Sequence, residues 1–198
     1  MTTAPGASSG AISIGLLWHS VNSGNLGVGA LTVGNIALAR RAAAMAGLTP
    51  RFHVLGFVDP GVPHYVCGDD IDSLAITHPR QMLPGGAYWR TLQDLDCVLD
   101  IGAGDSFADI YSNKRFAYMW LSKVVATARG LPLALSPQTI GPFTRQPQTM
   151  LAAATLRRAA FIMARDPLSF DVARTMAPRT TVIQTVDVAF ALPFERRQ

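Results

Sequence analysis

Cys97-Val-Leu-Asp-Ile-Gly102, continuing as Ala103-Gly104-Asp105-Ser106-Phe107-Ala108-Asp109, is the stretch that decides the fold. A short apolar run without strict alternation is the pattern of a strand covered on both faces. It passes at once into glycine, small and acidic residues, as the tip of a strand does before a helix. Downstream, the spacing predicts a helix over Lys114–Arg129, closed by Gly130, and a strand over Leu131–Ser136. A helix over Pro147–Ala160 follows, with Pro147 suited to its first turn. Phe161–Ala164 reads as a strand, Pro167–Met176 as a helix capped by Asp166, and Thr180–Gln184 as a last strand. Upstream, Ala11–Trp18 and Arg51–Val58 read as strands around a helix over Val28–Ala46 that Gly47 stops. Asp59–Ser73 reads as loop, with two prolines, two glycines and four aspartates, and Gly86–Leu95 reads as a short helix. Strand and helix alternate throughout, which predicts parallel βαβ units. The expected class is α/β: a Rossmann-like, doubly wound, mostly parallel sheet.

Composition narrows the classes further. A chain of 198 residues with 49% hydrophobic and 15% charged residues is globular, since disorder needs the opposite balance. No run of about 18 apolar residues escapes a charge or a breaker, so no membrane span is expected. Residues 1–10 read as a flexible tail without a basic start or an apolar stretch, so no secretory signal is expected and the cytoplasm is the expected compartment. The formal charge of +4 is spread over scattered arginines, with Lys114 and Lys123 as the two lysines, which argues against nucleic acid as a partner. Cys67 and Cys97 have neither CxxC spacing nor a histidine at ligand spacing, so neither a metal nor a redox centre is expected.

In an open parallel sheet, ligands bind beyond the carboxyl ends of the strands. Five segments fall there. His19-Ser-Val-Asn22-Ser-Gly24-Asn25-Leu-Gly27 is a glycine-rich turn into a helix, whose exposed N–H groups suit an anion or a sugar hydroxyl. It matches neither GxGxxG nor a P-loop, which argues against a nucleotide-dependent oxidoreductase. Gly104, Asp105 and Ser106 offer bare backbone, an acceptor and a donor; alternatively Asp105 or Ser106 is the cap of the next helix. Asp109, four residues beyond Asp105, would share its helix face. Gln138, in a turn fixed by Pro137, Gly141 and Pro142, carries one acceptor and two donors. Arg165 at a strand tip can grip a carboxylate or phosphate in bidentate fashion, or merely pair with Asp166 at the surface. Asp187 caps a turn or meets a ligand. Of the four histidines only His19 stands at a strand tip, and a lone histidine is more often structural.

The ordered segments Ile101–Phe116 (IGAGDSFADIYSNKRF), Leu131–Phe143 (LPLALSPQTIGPF), Met163–Ser169 (MARDPLS) and Val186–Pro193 (VDVAFALP) resemble the polysaccharide pyruvyl transferase family. Asn25–Thr32 (NLGVGALT) resembles the family's glycine turn, with Val28 where many members carry an acid. The resemblance implies transfer of the enolpyruvyl unit of phosphoenolpyruvate to a sugar hydroxyl as a ketal, with release of phosphate, in cell-surface polysaccharide biosynthesis. It implies one half of a GT-B-like pair of Rossmann-like domains, with residues 11–194 as the N-terminal domain and 195–198 as the start of a linker. It makes Arg165 the residue that contacts phosphoenolpyruvate, the donor substrate; no cofactor is implied. Asn25, Gly27, Gly104, Asp105, Ser106 and Gln138 complete the expected substrate-binding set. The acceptor is a sugar or a lipid-linked glycan.

The family's second arginine and its histidine acid belong to a C-terminal domain, and no histidine follows His78. The chain is therefore expected to be incomplete for catalysis, with a homodimer or a second chain supplying the other half as the expected partner. The competing expectations are a non-catalytic binding or dimerisation module, and the acceptor-binding half of a GT-B glycosyltransferase.

Overall fold

The computed structural model describes residues 10–193. The expected tail falls outside them except for Gly10, which opens the first strand, and the expected linker also falls outside. Seven parallel strands form one sheet: β1 (Gly10–Leu17), β2 (Leu48–Gly56), β3 (Ile71–Ala75), β4 (Cys97–Asp100), β5 (Leu133–Gln138), β6 (Phe161–Ala164) and β7 (Val182–Gln184). Their order is β3-β2-β1-β4-β5-β6-β7. The direction of winding reverses between β1 and β4, so the crevice lies where the stretch after Ile101 emerges.

Five α-helices connect the strands: α1 (Leu26–Met45), α2 (Ala87–Thr91), α3 (Asn113–Ala128), α4 (Gln148–Leu156) and α5 (Pro167–Met176). Alternate residues of each strand serve opposite faces. Leu16 and Val54 join Ile36 and Ala39 of α1 in one core, while Leu17 and Leu55 join Tyr88, Met119, Leu156 and Ala173 in the other. The sheet is thus covered by α1 on one face and by α2–α5 on the other.

β3 and β5 differ from the sequence reading. β3 lies where loop was expected; it is a half-exposed edge strand with Asp72 and Ser73 facing solvent, so it lacks the apolar signal of a buried one. β5 extends two residues past the expected end at Ser136, because Pro137 sits at a register shift in its pairing with β6 and no ladder bond needs its missing N–H. The helix after β4, expected over Lys114–Arg129, is in place within one residue, and the alternative start at Asp105 or Ser106 is not taken. It begins at Asn113, where Ser112 accepts from the Arg115 N–H at 3.2 Å, leaving a long loop at the β4 tip.

After β7 the chain turns across α1 as a single 3-10 turn at Val188–Ala191. Val188 is buried there with Leu31 and Ile101. Gly34 of α1 makes this crossing feasible, because a Cβ there would overlap the carbonyl of Val188.

Candidate functional site

The loop at the β4 tip holds three successive residues in the left-handed region: Gly102 (φ 52°), Ala103 (φ 50°) and Gly104 (φ 93°). The alanine costs about 1–2 kcal/mol there, and such strain concentrates at functional sites. The turn is held by Gly104 N–H to the Ile101 carbonyl (2.8 Å), Ser106 N–H to the Gly102 carbonyl (2.8 Å) and Thr139 N–H to the Gly104 carbonyl (2.9 Å). Asp105 accepts from the Tyr111 hydroxyl at 2.6 Å, and this bond raises the phenol's pKa above its ordinary value. Ser106 is fully buried and accepts from the Arg115 guanidinium, which also lies 4.5 Å over the Tyr111 ring. Asp109 shares no helix face with Asp105. It is buried at the base of the loop and accepts the Thr144 and Arg145 N–H groups, both at 2.6 Å.

Under this loop lies a charged floor. Lys123 of α3 stands 3.2 Å from Asp100, with neither side chain exposed, and 4.4 Å over the Phe107 ring. Burial pulls the lysine pKa down, and the facing carboxylate opposes that. Gln138 donates from Nε2 to both the carbonyl and the Oδ2 of Asp100, each at 2.9 Å. Gln138 was expected at the ligand; it is fully buried and works beneath the loop instead. Any side chain at residue 102 would overlap its Oε1, so the glycine and the glutamine require each other.

Arg165 emerges from the β6 tip. Its N–H reaches the Gln138 carbonyl at 3.3 Å, Nε donates to Thr139 Oγ1 at 2.9 Å and Nη1 donates to Asp187 Oδ2 at 2.9 Å. The side chain remains 26% exposed, so a ligand can reach it. A Cβ at Gly104 would lie 3.8 Å from Nη1, so bare backbone and guanidinium share one wall. Asp166, the surface partner considered for Arg165, instead caps α5 through the Ser169 N–H and hydroxyl, both at 2.8 Å. Of the roles the sequence left open for Asp187, the structure shows the cap, through the Ala189 N–H at 2.8 Å, and the same carboxylate pairs with Arg165.

The glycine-rich turn after β1 stands apart from this network. Asn25 caps α1 by accepting from the Gly27 N–H at 2.9 Å, and Gly24 N–H donates to Asp59 at 2.7 Å. Both Asn25 and Gly27 are exposed, and the same helix reaches the β4 loop through Leu31, packed against Gly104. His19 is structural. It is fully buried, Nδ1 donates to the Leu17 carbonyl (3.0 Å) and Nε2 accepts from Asn35 (2.8 Å), which also reaches Ser136. Burial lowers its pKa to about 4.

Gly104, Asp105, Ser106 and Arg165 are thus gathered at the β4–β6 tips, while Asn25 and Gly27 lie apart from them at the start of α1. Thr139, Tyr111, Arg115 and Lys123 were missing from the expected set. Each reaches the site across a fold-back that spacing does not encode: Arg115 returns nine residues to Ser106, and Lys123 sits on a helix face that looks merely amphipathic. Among the described residues no cluster of histidine, cysteine or acidic side chains has metal-binding geometry.

The fold is a doubly wound, Rossmann-like parallel sheet of the GT-B-like kind, with an arginine and an open glycine backbone beyond its strand tips. Residues 38–198 match the model of the polysaccharide pyruvyl transferase family, and the chain belongs to that family. No curated protein matches it. Among solved structures it is similar to a UDP-GlcNAc 2-epimerase from Neisseria meningitidis bound to UDP-GlcNAc, at 12% identity and a TM-score of 0.53, over 90% of this chain and 47% of that one. A putative UDP-N-acetylglucosamine 2-epimerase from Listeria monocytogenes aligns at 10% identity and a TM-score of 0.46, over 83% of this chain and 42% of that one. The chain spans about half the length of these structures, and at such identity the likeness is one of fold alone.

Proposed function

We propose that this chain serves transfer of the enolpyruvyl unit of phosphoenolpyruvate to a sugar diol, in the cytoplasmic assembly of a cell-surface polysaccharide. In this reaction one acceptor hydroxyl adds to C2 of the enol phosphate while C3 takes up a proton. The C2–O bond to phosphate then breaks. The second hydroxyl closes the ketal and gives up its proton, so that the net products are the pyruvate ketal and inorganic phosphate. The donor carries a carboxylate and a phosphate, and it needs a cation with open space before it. The observation that carries the reading is Arg165: oriented by Thr139, partly exposed and backed by the bare Gly104. Asp187 occupies one guanidinium nitrogen and is the group a donor anion would replace. Asp105, held by Tyr111, is placed to accept from an acceptor hydroxyl. The proton for C3 and the second cation are assigned to the further half that structures of this architecture carry.

Calorimetry of the 198-residue chain with phosphoenolpyruvate tests this. Binding is expected to weaken about 10–100-fold in Arg165→Ala, the worth of one or two charge-assisted hydrogen bonds. Equal affinity in the variant refutes the role of Arg165. A phosphate-release assay with a sugar diol supplies the second arm: robust turnover by these 198 residues alone overturns the assignment of the proton donor to another half.

A second reading has its own observation. Leu26, Ile110, Leu168, Val186 and Phe190 are all strongly exposed, and all lie on loops or helix starts beyond the carboxyl ends of the strands. Such an apolar rim suits a covering surface. This is what a binding or dimerisation module would present.

A further inference from the structure

Beside the strand-tip site, a cavity of about 430 Å³ opens between the ends of β2 and β3 and the first turns of α3. Its size is that of a small-ligand pocket. Phe57, Thr77, Lys114, Arg115, Tyr118 and Met119 form its walls. A second hollow of about 350 Å³ adjoins it and shares Thr77, Lys114 and Tyr118. Among the described residues no acidic side chain lines either space, and neither Lys114 nor Arg115 forms an ion pair. Two cations without a direct ion pair therefore line a cavity whose other walls are largely aromatic and apolar.

The aromatic walls are built in advance. Trp18, fully buried, lies 5.0 Å from the Phe57 ring and 6.5 Å from the Tyr118 ring, so one indole backs both. It is fixed by its own N–H to Ser122 Oγ at 2.9 Å and by its backbone N–H to the Leu55 carbonyl at 2.7 Å. It also holds a left-handed backbone (φ 59°), a costly conformation for a bulky residue. That bend turns the indole under the cavity at the point where β1 ends. The Tyr118 hydroxyl is tied to the Thr77 carbonyl at 3.3 Å, which presents the ring rather than the hydroxyl.

We propose that this cavity binds a sugar bearing a phosphate, the ring lying on Phe57 and Tyr118 and the phosphate meeting Lys114 and Arg115. Sugar C–H faces stack on aromatic rings, and a phosphate fits a guanidinium beside an ammonium. Arg115 also bonds Ser106, whose hydroxyl contacts Asp105, so one side chain ties the cavity wall to the strand-tip loop. The inference rests on the reading of this chain as a sugar-modifying transferase and names the end of the acceptor away from the reacting hydroxyls.

The test is titration calorimetry of the 198-residue chain with glucose 1-phosphate, glucose, inorganic phosphate and a prenyl-diphosphate-linked glucose. Lys114 is exposed and Phe57 is 38% exposed, so Lys114→Ala and Phe57→Ala are expected to fold. One or both phosphorylated sugars bind more tightly than glucose or phosphate alone, and each variant weakens that binding about 10-fold. Tighter binding of the soluble ester assigns the phosphate to a free sugar phosphate; tighter binding of the prenyl compound assigns it to a lipid carrier. Arg165→Ala leaves this binding unchanged while weakening that of phosphoenolpyruvate about 10–100-fold, which separates this site from the donor site. Phosphorylated sugars that bind no better than phosphate alone, or that ignore Lys114→Ala and Phe57→Ala, overturn the proposal.

Discussion

Replacing Gly34 by alanine is a sharp test of how the end of the described chain is joined to the site. Helix propensity alone predicts a gain, since glycine inside a helix is about 1 kcal/mol worse than alanine. The structure predicts a loss. A Cβ at residue 34 would stand 3.0 Å from the carbonyl carbon of Val188 and would overlap its oxygen, which is backbone and cannot rotate away. The turn at Val188–Ala191 must then lift off α1. Val188 is only 2% exposed, and uncovering such a side chain costs about 1.5–3 kcal/mol. Offset by the propensity gain, the net destabilisation is about 0.5–2 kcal/mol, or roughly 1–8 °C in Tm for a chain of this size. Thermal and urea unfolding measure it, with Ala44→Gly on the exposed face of α1 as calibration of the propensity contribution. A Gly34→Ala protein as stable as the parent, or more so, refutes the packing argument.

Three further outcomes are expected. His19 is held near pKa 4 in the fold against 6.5 when unfolded, so its stabilising contribution is complete above pH 6.5 and declines as pH falls toward 4. The slope is up to about 1.4 kcal/mol per pH unit, and urea midpoints at pH 7 and 5 should converge in His19→Gln; an unchanged slope counts against it. Lys123→Met leaves Asp100 buried without its cation and should cost about 3–5 kcal/mol, much of it recovered in Lys123→Met/Asp100→Asn; equal stabilities of the two variants by chemical denaturation would contradict the pairing. Asp187→Asn keeps a capping side chain but releases Arg165 from a partly exposed ion pair, so phosphoenolpyruvate affinity should rise by up to about fivefold in calorimetry, and a fall would show that Asp187 assists the anion.

The sheet was readable because burial on both faces writes itself as short apolar runs, which β1, β2, β4, β5 and β6 carry. β3 escaped because an edge strand needs little apolar surface: Ile71-Asp-Ser-Leu-Ala75 sits among aspartates and reads as loop. Arg165 and the glycines of the β4 tip were legible because a charged or bare residue directly after an apolar strand has few structural uses. Gln138 was misplaced for a related reason. Pro137 looked like the end of a strand, whereas the register shift in its pairing with β6 lets the strand run on and turns the amide inward to Asp100. The partnerships Arg115–Ser106, Lys123–Asp100 and Arg165–Asp187 are products of tertiary placement, and no local pattern announces them. Trp18 is a similar case: a tryptophan at a strand end reads as core, and only its backbone angle shows that it is turned to support other rings.

Because Lys123 and Asp100 have no contact with water, dissolved ions cannot come between them. Their attraction is outside the reach of the roughly 8 Å Debye atmosphere that governs exposed charges at physiological salt. The electrostatics of the molecule therefore separate into an internal dipole indifferent to electrolyte and an outer group, Lys114, Arg115 and Arg165, that electrolyte attenuates. An ionic-strength series on any anionic ligand reads the outer group alone.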